Sequence, residues 1–347
     1  MHKFDYSFIK ESVPGSIVGT TNLIADLNAK EDFRKLQYAE TFCAIRKQAI
    51  IESIRSSNEI EGIVTTAERF DMIMQGATPL THTEKEILGY KKALEYVVEN
   101  YDKTELSVEL VRELHRLIYD ETAPETAGTF KKQNNYIIES DADGNRKVRF
   151  RPVSAKKTPE AISQWLLAFY EARQDYGIPA LLLIPCVVFD FLCIHPFADG
   201  NGRVSRLLTL FLLLQSGCDI GLYISIENQI NNYRETYYEK LAESSEGWNE
   251  NTNDYLPFVI YSLQILYRCY KDLDDRFTEI SLQKASKNKR IEAVLSNAYS
   301  PISKAEIAYK LPDISIKNIE TVLAKLLKDG KIEKIGTYKN ARYIRKG

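Results

Sequence analysis

His195-Pro-Phe-Ala-Asp-Gly-Asn-Gly-Arg-Val-Ser-Arg206 is the stretch from which the rest of this chain can be interpreted. It joins two strongly apolar segments, 179–194 and 203–216, that we predict to be helices. Two glycines flank an asparagine just before the second helix. Such a loop can turn its backbone N–H groups toward an anion, and the helix dipole adds positive potential there. The stretch therefore predicts a phosphate cradle between two buried helices, although it matches neither of the common phosphate-loop patterns.

The charged side chains around this cradle suit the transfer of a nucleotidyl group to a hydroxyl. His195 is a candidate base, Asp199 a candidate ligand for a divalent ion, and Arg203 and Arg206 are cations for phosphate. Taken singly, each has an ordinary structural explanation, such as a histidine at a helix end or an arginine on a solvated helix face. Their concentration in one short run favours the functional interpretation.

The run is similar, at every fixed position, to HPFx[DE]GNGRxxR, the signature of the Fic family. The resemblance extends to Leu114-His115-Arg116 and covers the chain from about Phe33 to its end. It implies a helical core and an activity in which AMP passes from ATP to a Tyr, Thr or Ser hydroxyl. The acceptor is a target protein or the enzyme itself, and pyrophosphate leaves. ATP is then the substrate and Mg²⁺ the implied metal ion.

The resemblance assigns the chemistry to three residues. His195 is the general base on the target hydroxyl, Asp199 binds Mg²⁺ between the α- and β-phosphates, and Arg203 supports the phosphate chain. One carboxylate together with phosphate oxygens is a ligand set that suits Mg²⁺. The positions that the resemblance assigns to nucleotide binding are Phe197, Gly200, Asn201, Gly202, Arg203, Arg206, Tyr237 and Tyr238.

Within that nucleotide site the implied roles differ. Asn201 and the backbone of its two flanking glycines hold the phosphates, and Arg206 binds the γ-phosphate. Tyr237 and Tyr238 lie on a later helix, where an aromatic face can stack on adenine. We favour Tyr238 as the nucleotide contact, although an aromatic core pair explains the two tyrosines nearly as well.

A second motif lies upstream of the signature. Ser57-x-x-x-Glu61-Gly62 resembles the inhibitory [ST]xxxE[GN] motif of Fic proteins. It implies that Glu61 forms a charge-assisted, bidentate pair with Arg206 where the γ-phosphate should lie. Alone the pattern is weak, because short Ser/Glu patterns often mark a helix end, and an exposed glutamate at such an end is the alternative explanation. Glu61 could also position a water for the removal of AMP.

Helical periodicity dominates the chain and predicts an all-α fold class. The resemblance implies that its core is a Fic helical bundle. The exception is residues 128–152, where two strand-like segments flank a turn signal at 141–144 and predict a β-hairpin. The resemblance identifies this hairpin as the flap on which a target protein docks. The predicted helices include 33–60, 83–101 with Thr83 as its cap, and 107–119 with Ser107 as its cap.

The C-terminal tail has a different order of elements. Three short helices followed by a hairpin resemble a winged helix-turn-helix domain. We therefore predict an N-terminal helical region with the inhibitory motif at 1–105, a Fic catalytic domain at 106–280 and a winged-helix domain at 281–347. From Lys284 onward the net charge is +9, against −11 for the rest. A basic module can bind DNA. Because these charges are scattered and winged helices also bind proteins, DNA binding is the less favoured role.

Composition sets outer limits. Hydrophobic residues make up 44% and charged residues 27%, which is typical of a globular protein and excludes a disordered chain. No apolar run reaches the roughly 18 residues of a membrane helix, and the N-terminus lacks the apolar segment of a secretory signal. The five cysteines form no CxxC pair, which predicts reduced thiols in a cytoplasmic protein. Family members often self-associate, so the resemblance also allows a homodimer.

Three functions stay open on this basis. The first is a self-inhibited protein adenylyltransferase. The second is a transcription regulator whose tail reads DNA while its body senses a nucleotide. The third is a Fic enzyme that uses another donor or removes AMP. The intact His195 and the GNGR sequence favour the first over a degenerate sensor.

Overall fold

Helices form most of the computed structural model, as the sequence predicts. The structure describes residues 2–11, 13–140, 146–175, 177–284, 287–296, 298, 301–311, 314–336 and 341–345. The chain divides into two units, residues 1–272 and 273–347. No helix among the described residues is long and apolar enough to cross a membrane.

The first unit is a helical body with one small hairpin. Short 3₁₀ turns lie at Ala155–Lys157, Ile220–Leu222 and Trp248–Glu250. The helices that begin in this unit are, in chain order, α1 (Phe8–Glu11), α2 (Gly15–Gln37), α3 (Ala39–Ile60), α4 (Ala67–Met74), α5 (His82–Asn100), α6 (Val108–Tyr119), α7 (Thr158–Gln174), α8 (Ala180–Ile194), α9 (Asn201–Gln215), α10 (Ile226–Asn232), α11 (Arg234–Ser245) and α12 (Leu256–Lys284).

Helices α8 and α9 form the centre of this unit. Every residue of α8 from Leu182 to Ile194 is buried, and α9 is buried on nearly all sides. A helix that is apolar all round belongs in the middle of a core. Pro185 lies inside α8, and the helix continues on both sides of it. The loop between α8 and α9 is therefore fixed at both ends by the core.

One buried carboxylate interrupts the apolar α8. Asp190 accepts hydrogen bonds from the Tyr6 hydroxyl (2.9 Å), the Trp248 indole N–H (2.7 Å) and the Tyr255 hydroxyl (3.1 Å). Burial raises the pKa of Asp190 to about 7, although these three donors act in the opposite direction. The network satisfies the carboxylate and ties the N-terminal segment to the core.

The predicted helix ends are partly correct. Ser107 caps α6 by accepting from the N–H of Leu110 (3.1 Å), which confirms that prediction. The predicted helix 33–60 is wrong in extent, because the chain breaks at Tyr38 between α2 and α3. The cap predicted at Thr83 is also wrong. Thr81 caps α5 instead, since its hydroxyl accepts from the N–H of Glu84 (3.2 Å).

The hairpin consists of β1 (Ile137–Ser140) and β2 (Arg146–Phe150), which pair antiparallel. The predicted turn at 141–144 lies outside the described residues. Consecutive residues Ile137 and Ile138 face Phe150 and Val148, so Arg149 is an extra residue in β2. This β-bulge lies at the end of the hairpin nearest the helical body.

The second unit has its own core, which includes Ile291, Ile307, Leu323 and Tyr343. The described strands β3 (Ile302–Ser303), β4 (Ile332–Ile335) and β5 (Arg342–Arg345) form one antiparallel sheet in the order β3-β5-β4. The elements that begin in it are α13 (Lys287–Ser296), β3 (Ile302–Ser303), α14 (Lys304–Lys310), α15 (Ile316–Lys328), β4 (Ile332–Ile335) and β5 (Arg342–Arg345).

Helices α5 and α6 approach so closely that a side chain is excluded between them. A Cβ atom on Gly89 of α5 would collide with the backbone of Ile118 in α6. Because backbone atoms cannot yield as a flexible side chain can, this glycine sets the distance between the two helices. Helix α5 also carries Glu86, which reaches the site described below.

We expect Gly89→Ala to lower the free energy of unfolding by about 1–3 kcal/mol, since the added methyl must push two packed helices apart. The matched control is Gly19→Ala in α2, where a Cβ meets nothing within 4 Å. It should raise stability by about 0.5–1 kcal/mol, because alanine loses less backbone entropy than glycine in a helix. Urea unfolding followed by circular dichroism measures both. Equal stability of the two variants would contradict the close-packing argument.

Candidate functional site

A cavity of about 270 Å³ opens beside the His195–Arg206 run. His195, Gly202 and Arg206 line it from the run itself. Glu61 and Tyr238 line it from α3 and α11, on either side of the run in sequence. The fold therefore brings together the predicted base, part of the predicted phosphate cradle, the glutamate of the predicted inhibitory motif and the favoured tyrosine.

His195 ends α8 in the left-handed conformation, with a φ of 52°. Its Nδ1 lies 3.3 Å from the Leu192 carbonyl oxygen. Since a carbonyl can only accept, Nδ1 carries the hydrogen and Nε2 holds the lone pair. Burial lowers the pKa of His195 to about 4, and the nearby Lys131 cation acts in the same direction. The imidazole is thus neutral at physiological pH and has the tautomer that a base requires.

Lys131 stabilises the backbone turn at His195. Its buried ammonium donates to the carbonyl oxygens of Ile194 (3.1 Å) and His195 (2.8 Å) and to Asn135 Oδ1 (2.8 Å). Asn135 in turn donates from Nδ2 to the carbonyl oxygen of Phe197 (3.0 Å). Burial lowers the pKa of Lys131 to about 8. These contacts tie the segment leading into the hairpin to the loop that carries His195.

His115 on α6 supports the other side of the loop. Its Nδ1 accepts from the N–H of Gly128 (2.9 Å), so its Nε2 carries the hydrogen and donates to the carbonyl oxygen of Asp199 (3.2 Å). Burial lowers the pKa of His115 to about 4, so the ring is neutral. Phe197 is fully buried and stacks on this ring at a centroid distance of 3.9 Å. The Phe197 side chain thus packs in the core and does not line the cavity.

The side chain of Asn201 is also turned inward. Its Oδ1 accepts from the N–H of Phe197 (2.9 Å), and its Nδ2 donates to the carbonyl oxygen of the same residue (2.9 Å). Only 1% of Asn201 is exposed. Both amide functions are therefore engaged in closing the loop. In this conformation the Asn201 side chain fixes the shape of the loop backbone, and it is the backbone that would face a phosphate.

Gly200 and Gly202 each leave no room for a side chain, and the obstacle differs between them. Gly200 precedes α9 with a φ of +79°, and a Cβ there would press on the ring of Tyr119. A Cβ on Gly202, in the first turn of α9, would collide with the Glu61 carboxylate. The Glu61 carboxylate therefore lies against the N-terminus of α9. Helix N-termini attract anions because their N–H groups have no partner within the helix and the dipole is positive there.

Arg203 belongs to a buried relay and does not line the cavity. It is 1% exposed and donates from Nη1 to Glu86 Oε2 (2.6 Å) and from Nη2 to the Tyr119 hydroxyl. Tyr119 then donates to Asp199 Oδ2 (2.9 Å). The relay orients the Asp199 carboxylate through two intermediate side chains. A direct contact between Arg203 and phosphate stays a prediction.

Arg206 is held by the upstream motif. It is 5% exposed and donates from Nε to Ser57 Oγ (2.8 Å) and from Nη2 to the Ser57 carbonyl oxygen (3.0 Å) and Glu61 Oε1 (2.7 Å). The pair with Glu61 uses one nitrogen and one oxygen, so the expected bidentate geometry is wrong. Ser57 takes the other contacts. Gly62 follows with a φ of +76°, which lets the chain turn away after Glu61.

The two tyrosines of α11 have different environments. Tyr237 is buried and packs against Phe258 and Tyr261, whereas Tyr238 is 40% exposed. Both border the cavity. Tyr238 is the more accessible of the two, and Arg234 lies over its ring at 5.8 Å from the centroid. Its contact with a nucleotide stays a prediction.

Asp199 suits a divalent ion that arrives with a nucleotide. Its exposed carboxylate accepts from Tyr119 through Oδ2 and from the N–H of Gly200 through Oδ1 (2.7 Å), and each oxygen can accept further contacts. Among the described residues no group of three or more His, Cys, Asp or Glu side chains could hold a metal by itself. Mg²⁺ is commonly bound by one or two carboxylates together with substrate phosphates. The residues therefore fit an ion held jointly with phosphate.

Sequence reasoning missed several contributors to this site. Lys131 and Tyr119 carry no motif, and only the fold places them beside the loop. Glu86 on α5 pairs with Arg203, and no motif in the sequence marks that contact. Arg149, which also lines the cavity, lies in a segment that the sequence marked only as a strand. The helical segment around His115 was noted as family-like without a role for the ring.

Comparisons with known proteins relate part of this chain to one family. Residues 105–213 match the Fic/DOC family. The protein adenylyltransferase Fic of Nematostella vectensis is 27% identical over 221 residues, which cover 61% of this chain and 46% of that protein. Protein adenylyltransferase fic-1 of Caenorhabditis elegans is 21% identical over 239 residues, 67% of this chain and 42% of that protein. The chain thus spans less than half the length of these curated relatives.

A solved structure extends the likeness in fold. A Fic family protein from Desulfovibrio desulfuricans G20 superimposes with a TM-score of 0.63 at 18% identity and covers 97% of both chains. The chain therefore carries a Fic/DOC family domain at residues 105–213, within a mostly helical fold shared with a Fic family protein of known structure.

Proposed function

We propose that this protein transfers AMP from ATP to a hydroxyl side chain of a target protein and of itself. The observation that carries the proposal is His195, a neutral imidazole beside the N-terminus of α9. Its Nε2 has no hydrogen-bond partner among the described residues. The two curated relatives named above are adenylyltransferases, and the same signature supports extending that activity to this chain.

The proposed step is a displacement at the α-phosphorus of ATP. The target hydroxyl oxygen forms a bond to that phosphorus while its proton passes to Nε2 of His195. The bond from the α-phosphorus to the bridging oxygen breaks, and pyrophosphate leaves with that electron pair. The Leu192 carbonyl accepts from Nδ1 and so stabilises the imidazolium that forms. The N-terminus of α9 and Arg206 face the phosphates and stabilise negative charge there.

Asp199 is the residue that would hold Mg²⁺ together with the phosphates, and the ion would offset phosphate charge. The chain's own part is to aim this carboxylate. Glu86, Arg203 and Tyr119 do so through the relay described above.

Changing His195 to Ala should abolish AMP transfer and leave ATP binding largely intact, because the imidazole acts on the hydroxyl proton and not on the phosphates. Transfer is measured with labelled ATP and binding by calorimetry. Full-rate transfer by this variant would remove His195 from the role of base.

The pH dependence follows from the lowered pKa of His195, which is about 4. An acid limb appears where the base becomes protonated, so kcat/KM should stay flat from pH 8 down to about pH 5. If His195 had the usual histidine pKa of about 6.5, kcat/KM would fall as the pH drops through that value. The profile is best measured on Glu61→Gly, whose lost carboxylate lowers this pKa further. A fall in kcat/KM centred near pH 6.5 would contradict the assignment.

We further propose that α3 inhibits the enzyme through Glu61. Its carboxylate lies against Gly202 at the N-terminus of α9 and pairs with Arg206 at 2.7 Å. Ser57 engages two more donors of the same guanidinium. An anionic phosphate would need the same helix end and the same arginine, so the glutamate and the nucleotide compete for them.

Glu61→Gly should therefore raise AMP transfer, including self-modification, because Arg206 and the helix end become available to phosphate. Mass spectrometry after incubation with ATP and Mg²⁺ measures the gain of AMP, and it also reveals another transferred group or the removal of AMP. Glu59→Gly is the matched control, since it removes the same charge from the same turn while its carboxylate contacts Asn231 (3.0 Å). An unchanged signal in Glu61→Gly would count against autoinhibition.

Two partners complete the proposal. The hairpin exposes Tyr136, Ile138 and Val148, an apolar face that suits an extended target segment bound by strand addition. In the second unit, the order helix, strand, two helices and two strands supports a winged-helix module. DNA binding by it remains the less favoured role.

A further inference from the structure

We propose that Arg149 of the hairpin binds a phosphate of the nucleotide in the cavity beside His195. This inference rests on the proposed function, since it adds a cation to the same nucleotide site. Arg149 belongs neither to the signature nor to the inhibitory motif. Four observations on the hairpin and the cavity carry it.

The first observation is the bulge. In a regular strand Arg149 and Phe150 would point to opposite faces. Here Arg149 is the extra residue opposite Ile137 and Ile138, and both Arg149 and Phe150 line the cavity. A bulge next to a site commonly turns a side chain toward it. The break in register therefore turns the guanidinium of Arg149 inward, toward the cavity that contains His195.

The second observation is an unpaired donor. The Nη1 atom of Arg149 is buried, and no described residue accepts a hydrogen bond from it. A buried charged donor without a partner is costly, so such a group is expected to gain an acceptor when the site is filled. The guanidinium is thus poised for a ligand and is not satisfied by the fold.

The third observation is the charge balance of the cavity. Glu61 and Arg206 neutralise each other across 2.7 Å, and His195 is neutral. The other lining side chains are apolar groups, hydroxyls and a thiol. Arg149 is then the one uncompensated charge among the described side chains that line the cavity. The cavity lining therefore has a net positive charge even with Glu61 in place, and this charge favours an anion.

The fourth observation is the direction of the donor. The exposed apolar face of the hairpin, with Tyr136, Ile138 and Val148, is the surface available to a target segment. The Nη1 atom of Arg149 is instead buried, in a side chain that lines the cavity with Gly202 and Arg206. An arginine fork matches phosphate oxygens and provides no acceptor for a nucleobase amine. These contacts favour a phosphate in the cavity over a group of the target protein on the exposed face of the hairpin.

The test compares ATP with adenosine, which lacks phosphate, by calorimetry with Mg²⁺ in all samples. The parent is Glu61→Gly, so that the inhibitory carboxylate does not mask the effect. Adding Arg149→Met should weaken ATP binding about 10- to 100-fold, the range for a lost charge-assisted contact, and leave adenosine binding unchanged. Arg149→Lys should lie between, because it keeps the charge and loses the fork.

Arg151→Met is the matched control. It removes the same charge two residues away, from a side chain that is exposed and lies over the ring of Tyr136. It should leave ATP affinity within about twofold of the parent, since an exposed charge is screened by salt. Adenosine binding by each variant shows that the site is folded.

The outcomes separate this inference from the proposed function. If the parent binds ATP and Arg149→Met binds it equally well, the inference is overturned while the proposed function stands. If Arg149→Met keeps its ATP affinity but modifies itself more slowly at saturating ATP, Arg149 contacts the protein substrate, and the inference is again overturned. Equal losses for ATP and adenosine would indicate a merely structural role. A parent that binds no ATP would overturn both proposals.

Discussion

The N-terminus of α9 together with the buried guanidinium of Arg206 requires an anion, and much of the first unit is arranged around that requirement. A buried charge without a partner is strongly destabilising. Here Ser57 and Glu61 of α3 supply the partner. The contact therefore does two things at once. It satisfies the buried guanidinium, and it packs α3, which lies outside residues 105–213, against the helix that carries the signature.

The signature residues divide between scaffold and ligand site. Phe197, Asn201 and Arg203 are buried and bonded to the protein itself, whereas His195, Gly202 and Arg206 line the cavity. A loop that must hold an imidazole at a φ of 52° needs this internal bonding, because the left-handed region disfavours most side chains. The length of the signature thus reflects the demands of the loop's shape as much as those of the ligand.

Local signals in the sequence predicted most of the fold and the centre of the site. The apolar runs around the signature predicted α8 and α9, and Ser107 predicted a helix start. The resemblance of the segment from Ser57 to Gly62 to a family motif implied the contact between Glu61 and Arg206. Contacts between segments that are distant in the sequence could not be predicted in this way. Nothing in the surroundings of Lys131 or Glu86 indicates their partners, which depend on tertiary packing. The bulge at Arg149 depends on strand register, which a period of two does not reveal.

Gly202 lies where the proposed inhibition and the proposed activity share one space. Its missing side chain leaves room for the Glu61 carboxylate, and on the proposed function it would leave the same room for a phosphate. A Cβ atom there would first meet the flexible end of Glu61, and it would also crowd a phosphate bound at this helix end. On that proposal, substitution of Gly202 is a costly way to relieve inhibition. Ser57 and Glu61 can instead be changed, or bound by a partner, without any change in the residues proposed to perform the chemistry.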